Sequence, residues 1–290
     1  MLTLIRNIER LYGIDEAQKS YRAGNEMREL PFIDNAWLLI RDQRILDYGR
    51  MPEDDGQHSA FDSDRIIDAS GKFVFPAFVD SHTHLVFPAS REEEFVMKIQ
   101  GKSYEEIAAA GGGILNSAGK LQKTSEKDLY KMALERLQEV IAQGTGAIEI
   151  KSGYGLTVED ELKMLRVVKR LKNIAPIPVM ATFLGAHTFP AAYKEDREAY
   201  IQLIIEEMLP KIQEEGLADF IDVFCEQGFF TPEETERIVE AGKKHGLIPK
   251  IHGNQLAVSG GVQVAVKTGA RSVDHLEHMG EEEIEALRNS

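Results

Sequence analysis

The chain has 290 residues, with 34 Lys and Arg against 48 Asp and Glu and a formal net charge of −14. That acidic balance argues against a nucleic-acid or anionic-membrane partner, since both need concentrated basic side chains. A single cysteine, Cys225, excludes an internal disulfide, residues 1–20 lack a signal-peptide core, and no run approaches the ~20 apolar residues of a spanning helix. The expectation is a cytoplasmic protein, long enough for one large domain or for a barrel with a smaller companion.

The first 75 residues read as short strands and turns. Ala36–Ile40 and Arg44–Tyr48 form a hairpin across Asp42-Gln43, and Arg65–Asp68 and Lys72–Phe75 flank a Ser70-Gly71 turn. The acidic stretch Pro52–Ser63 reads as a solvated loop, with His58 a surface histidine. From residue 77 the rhythm changes to short apolar runs followed by long amphipathic stretches. The runs are Phe78–Asp80, Ala147–Lys151, Val179–Leu184, Phe220–Phe224, Ile248–Ile251 and Ser272–Asp274. Helices are expected at Glu126–Gln143, Val158–Lys172, Arg197–Glu215, Pro232–His245 and Gly260–Thr268. Strand–helix alternation indicates a parallel sheet, and runs this apolar indicate strands buried on both faces.

A doubly wound sheet and a barrel both satisfy that pattern, and the polar residues decide between them. His82, His84, Lys151, His187, Glu226, His252 and His275 lie at or just past the C-terminal ends of successive runs. A barrel gathers those ends into one ring, whereas a doubly wound sheet spreads them along an edge. No glycine-rich phosphate loop follows the first run. The expected fold is therefore α/β, a TIM-like barrel over residues 76–290, preceded by a small β-sandwich portion over residues 1–75.

The most informative stretch is PAFVDSHTH at 76–84. Side chains two apart on a strand share a face, so His82 and His84 converge, as two nitrogen ligands of one metal would. Taken alone, H-x-H fits equally a strand end with two half-exposed histidines. Asp80 serves either to orient an imidazole or as a turn residue. His252 is the best third ligand, and His275 ends the next strand. Three imidazoles with a carboxylate or water suit Zn or Fe, which lower the pKa of a coordinated water to roughly 7.

VDSHTHL (79–85), SREEEF (90–95), EIKSGYGL (149–156), ATFLGAH (181–187), LIIEEMLP (203–210), DVFCE (222–226), PKIHGNQL (249–256) and VDHLEH (273–278) carry a more specific resemblance. The chain resembles the amidohydrolase superfamily and, within it, the imidazolonepropionase family. The resemblance implies hydrolysis of 4-imidazolone-5-propanoate to N-formimidoyl-L-glutamate, with one Zn or Fe held by His82, His84 and His252. By position it implies that Arg91, Tyr104, Tyr154, His187 and Gln255 line the substrate pocket, and that His275 and Gln255 act at the reacting centre. It also implies a homodimer when the protein is full length. Arg91 offers a planar fork to a carboxylate, although the Glu92–Glu94 run could claim it as a salt bridge. The glycines around Tyr154 permit a sharp loop.

Other features favour plainer readings. Gly111–Gly113 follows a helical stretch rather than a strand, so a loop covering the site is expected there instead of a phosphate cradle. Cys225 reads as a small buried residue. Lys151 stands on the second barrel strand; the carbamylated lysine of binuclear superfamily members stands on the fourth, so a single metal is expected. Gln255 cannot shuttle a proton as the glutamate of related deaminases does. Ala77 and FPAS at 87–90 depart from the more glycine-rich family pattern. Six strands are counted where a closed barrel has eight, and the family's last-strand aspartate has no counterpart before Ser290. Two classes follow: a metal-dependent hydrolase whose sequence is cut short (this cyclic amide or another its substrate), or a non-catalytic fragment that keeps three ligands.

Overall fold

The computed structural model describes residues 1–14, 19, 21–52, 63–102, 106 and 113–290. Contacts divide the chain into two compact units, Met1–Ala77 and Phe78–Ser290.

The first unit is built on one long strand, β1 (Leu2–Tyr12), in which apolar residues recur between charged ones. β2 (Phe32–Arg41) lies antiparallel to it, and β3 (Arg44–Arg50) returns along β2 as the expected hairpin. Asp42 makes that turn in the left-handed region, at φ 56°, which a short polar side chain tolerates. β4 (Arg65–Asp68) and β5 (Phe73–Val74) flank the Ser70-Gly71 turn but do not pair with each other. Both run parallel to β1, with Thr3 opposite Arg65 and Arg10 opposite Phe73. Among the described residues this unit is thus one five-stranded sheet, packed on Ile8, Leu11, Ala36, Leu38 and Ala69.

The second unit holds six parallel strands in sequential order: β6 (Phe78–Thr83), β7 (Thr145–Lys151), β8 (Val179–Ala186), β9 (Phe220–Cys225), β10 (Ile248–Gly253) and β11 (Val273–His275). All six expected runs are strands. Sequential order with no strand crossing over excludes a doubly wound sheet, in which the order reverses. The sheet also curls: His82 on β6 reaches Asp274 on β11 at 2.9 Å, and Lys250 on β10 donates to the Ser81 carbonyl at 3.0 Å. This is the barrel architecture, represented here by six of its eight strands.

The intervening helices are α1 (Glu92–Ile99), α2 (Ile114–Gln122), α3 (Glu126–Ala142), α4 (Val158–Ile174), α5 (Arg197–Gln202), α6 (Leu209–Glu215), α7 (Pro232–Lys244), α8 (Gly261–Thr268) and α9 (Glu281–Arg288). Their starts follow from local chemistry. Ser125 accepts from the Asp128 N–H ahead of α3, Thr157 accepts from the Asp160 N–H ahead of α4, and Thr231 with Glu234 forms a capping box on α7. The stretch expected as one helix from Arg197 to Glu215 is broken by a π-helical segment, Leu203–Met208. Pro210 explains it: proline lacks an N–H and its ring collides with the carbonyl four residues back, so the preceding turn widens.

Two apolar clusters fix the strands against these helices. One joins Leu129, Leu137, Ile148, Ile150, Met164 and Val168; the other joins Phe183, Tyr200, Ile204, Met208, Ile221 and Ile251. Each fully buried side chain of this size contributes about 1.5–3 kcal/mol, so the strand ends sit on a stiff base. Among the described residues no helix is long and apolar enough to cross a membrane.

Candidate active site

The strands deliver three histidines to one point. His82 closes β6 and His84 follows it, their ring centroids 5.7 Å apart, and His252 near the end of β10 lies 4.4 Å from His82 and 5.9 Å from His84. One nitrogen from each of the three falls within 4.8 Å of the others. Nδ1 of His84 and Nε2 of His252 are buried with no hydrogen-bond partner among the described residues. Asp222 Oδ2 stands 2.8 Å from His252 Nδ1, leaving Nε2 of that ring as the nitrogen for another partner. Burial, followed by the neighbouring imidazoles, holds His84 well below the usual histidine range. Burial also outweighs Asp222 and lowers His252. Neutral imidazoles with bare, buried lone pairs are the donor set that a Zn or Fe ion needs, so the residues fit a metal.

His82 differs, because its Nδ1 meets Asp274 Oδ2 at 2.9 Å. A carboxylate on one ring nitrogen orients the ring and presents the other nitrogen outward. Although burial alone would raise the Asp274 carboxyl, His82, Lys151 and Lys250 hold it far below the usual carboxylate range. Asp80 does not orient an imidazole: its carboxylate accepts from the His82 backbone N–H at 3.4 Å, which is the turn-residue reading.

The same cavity, about 330 Å³, is lined by His82, His84, Arg91, Tyr154, His187, His252, Gln255 and His275, with Phe224, Phe229 and Leu256 as its apolar wall. Tyr104 and Gly111–Gly112 lie outside the described residues. Arg91 is gripped by a neighbouring acid, and that acid is Glu94 specifically: Glu94 Oε2 takes the Nε proton at 2.8 Å and one from Nη2. Glu94 Oε1 also accepts from the Gly113 N–H at 3.0 Å. The guanidinium meets the Tyr154 phenol as well, while burial raises the phenol pKa.

Tyr154 rides on the loop after β7, where both glycines are required. A Cβ on Gly153 would come 2.9 Å from His187 Nδ1 and 2.9 Å from the Leu184 carbonyl, at a φ of +107°. A Cβ on Gly155 would collide with the backbone of Asp160 and Glu161. His187, after β8, stacks on His84 with centroids 5.2 Å apart and puts its Nδ1 3.0 Å from the Gly153 carbonyl. Burial drives its pKa down to about 3. Gln255 is set by Glu226, which accepts from the Gln255 and Leu256 N–H groups at 2.8 and 3.0 Å. The His275 ring stands 5.1 Å from His82 and 5.0 Å from His252. His275 and Leu276 carry φ of 84° and 61°, a strained corner of the kind found at functional sites.

Below the histidines the barrel interior is ionic. Lys151 Nζ bonds Glu149 at 2.6 Å and Asp222 at 2.8 Å, and lies 3.4 Å from Asp274. Lys250 bonds Glu149 and lies 3.5 Å from Asp274. Burial would strip Lys151 of its proton, but Asp222 and Glu149 reverse that and raise its pKa. An amine so committed is a structural cation. Cys225 is fully buried, and burial pushes its thiol up to about 11, in keeping with a packing residue. Sequence reasoning placed Glu94 in the run that could claim Arg91 without singling it out, and it overlooked Glu161 and the loop-holding role of Glu226. Their only trace is an acid within a few residues of a loop–helix boundary, a pattern that ordinary helix starts share.

A parallel barrel with imidazoles at its strand ends defines a metal-dependent hydrolase, and the match to the amidohydrolase family over residues 73–289 shows that the chain belongs to that family. Imidazolonepropionase of Flavobacterium johnsoniae is 55% identical over the whole chain, which covers 70% of that relative. The Flavobacterium psychrophilum imidazolonepropionase is 54% identical with the same coverage, and the chain falls in the imidazolonepropionase branch of the family. Among solved structures, the ochratoxinase of A. niger superposes with a TM-score of 0.61 at 18% identity, over 99% of this chain and 63% of that one, a likeness of fold.

Proposed function

We propose that this chain performs the ring-opening hydrolysis of 4-imidazolone-5-propanoate to N-formimidoyl-L-glutamate, a step of histidine degradation. The observation that carries the reading is that His82, His84 and His252, with one nitrogen of each within 4.8 Å of the others, line one cavity together with Arg91. Glu94 and Tyr154 hold the Arg91 guanidinium in place, and in this reading the substrate's propionate docks against that cation. Tyr154 and His187 flank the ring, and Phe224 and Phe229 keep water from its apolar side. The water oxygen adds to the ring carbonyl carbon, the C–N bond breaks, and the departing nitrogen takes a proton. His275 is the residue we assign to move that proton, while Gln255, lacking a titratable proton, orients the substrate through its amide. A Zn or Fe ion held by His82, His84 and His252 supplies Lewis-acid polarisation and lowers the pKa of water to roughly 7. A homodimer when full length, acting in the cytoplasm on a small molecule, completes the proposal; the net charge of −14 supports only the part that leaves out nucleic acid and anionic membrane. The test is to load a protein carrying all eight barrel strands with Zn or Fe and follow loss of imidazolonepropionate together with metal content. Full metal occupancy without turnover would refute the activity.

A further inference from the structure

Glu161 is fully buried in the first turn of α4 and is not among the residues that line the cavity. Its carboxylate accepts from four donors of one loop, the Ser152 hydroxyl and the N–H groups of Gly153 at 3.1 Å, Gly155 at 2.7 Å and Leu156 at 3.0 Å. A carboxylate buried at this depth is costly, and burial raises its pKa in spite of those bonds. A loop that needed only to be closed could use a cheaper group, so the placement points to something the loop must hold. Two things hang from it. Tyr154 sits between the tethered residues, its ring 5.3 Å from His84 and 5.6 Å from His187. The Gly153 carbonyl lies 3.0 Å from His187 Nδ1. A carbonyl can only accept, so Nδ1 must carry the proton. In the neutral ring, Nε2 is then left with its lone pair, and His187 lines the cavity.

We infer that Glu161 is a positioning residue: by gathering the 153–156 loop it aims the Gly153 carbonyl at His187, fixing the Nδ1–H tautomer and presenting Nε2 as an acceptor for a ring N–H of the substrate. The inference deepens the proposed activity and rests on it for the identity of the substrate. It also reverses the ordinary expectation for a pocket histidine, which is to donate to a carbonyl. A substrate with an N–H at that position is then preferred over an isostere with a bare nitrogen or oxygen.

The experiment uses the full, metal-loaded protein. In the wild type, ¹⁵N NMR of the His187 ring, identified by its loss in His187→Asn, should show a protonated Nδ1 and a bare Nε2. In Glu161→Gln, an amide donor replaces one accepting oxygen; KM for imidazolonepropionate should rise about tenfold, kcat should change less than threefold, and metal content should stay at the wild-type level. Because both changes act through the same ring, Glu161→Gln should add little to KM in a His187→Asn background. Additive effects would mean that Glu161 supports the fold only, and a protonated Nε2 in the wild type would overturn the inference even if the variant fails to fold. Absence of wild-type turnover would instead remove the proposed activity, leaving the tautomer measurement to judge Glu161.

Discussion

The rim of the barrel and the layer beneath it use the same strands to opposite ends. On β10, Lys250 belongs to the lower layer and His252, two residues on, to the rim. Below, every charge described has an answer: Glu149, Lys151, Asp222 and Lys250 neutralise one another within hydrogen-bond reach. Above, burial lowers the pKa of His84 and His252, and His84 Nδ1 and His252 Nε2 have no partner among the described residues. Asp274 touches both layers, bonding His82 above and approaching Lys151 and Lys250 below. The contrast separates two uses of buried polarity. A satisfied network sets shape, and an unsatisfied one waits for a ligand.

Breaking the rim should abolish function while sparing the fold. His252→Ala should lose bound metal and turnover by more than the ~10–100-fold that losing an outer partner of a metal site costs, with a normal far-UV spectrum. Metal retained at full stoichiometry would contradict the assignment of His252. Breaking the lower layer should do the reverse. Lys151→Met leaves buried Asp222 without its lysine and Glu149 with Lys250 alone, and a denaturant titration should show a loss of about 3–5 kcal/mol. Unchanged stability would mean that the network is more hydrated than its burial implies.

Acid should separate the layers in metal-free protein. His84, His187 and His252 are depressed in the fold, whereas in the unfolded chain they protonate near 6.5. Between those values the unfolded state binds the extra protons, so stability falls as pH drops below about 6.5, by up to roughly 1.4 kcal/mol per pH unit for each ring. Asp222 and Asp274 are depressed carboxylates; their contribution is complete above about 3.9 and is lost only as pH falls further. Urea midpoints measured from pH 7 to pH 3 should therefore decline in two stages, and a flat profile between pH 6.5 and 5 would contradict neutral rim histidines. The smallest effect sharpens the rim alone. Arg91→Lys should raise KM about tenfold, the worth of one charge-assisted hydrogen bond of ~1.5 kcal/mol, at unchanged metal content. Wild-type KM would leave Arg91 as the partner of Glu94 and nothing more.

Much of this was legible because it depends on local pattern. The six strands stand out as apolar runs, and their C-terminal polar residues were enough to choose a curled sheet over an open one. The histidines were legible for the same reason, since strand ends are fixed points. What escaped depends on distant parts of the chain meeting. Nothing near Glu161 in sequence says that its carboxylate turns back to three loop amides, and the Glu92–Glu94 run could not reveal which acid would take Arg91. α2 was missed because Asn116, Ser117 and Gly119 weaken its helical signal, which tertiary packing of Ile114, Ala118 and Leu121 restores. Asp274 was visible as the residue before His275 and as a candidate to complete the site, but its pairing with His82 spans 192 positions.

The widened turn at Leu203–Met208 makes chain length itself a constrained quantity there. Tyr200, Ile204, Met208 and Ile212 all face the core across the irregularity, and the Tyr200 hydroxyl donates to the Gly185 carbonyl at 2.8 Å. Removing one residue to restore a regular helix would rotate everything after it by about 100°, swinging Ile212 off the core. Related chains that keep the proline should therefore align through this helix without gaps, even where the surrounding loops gain or lose residues freely.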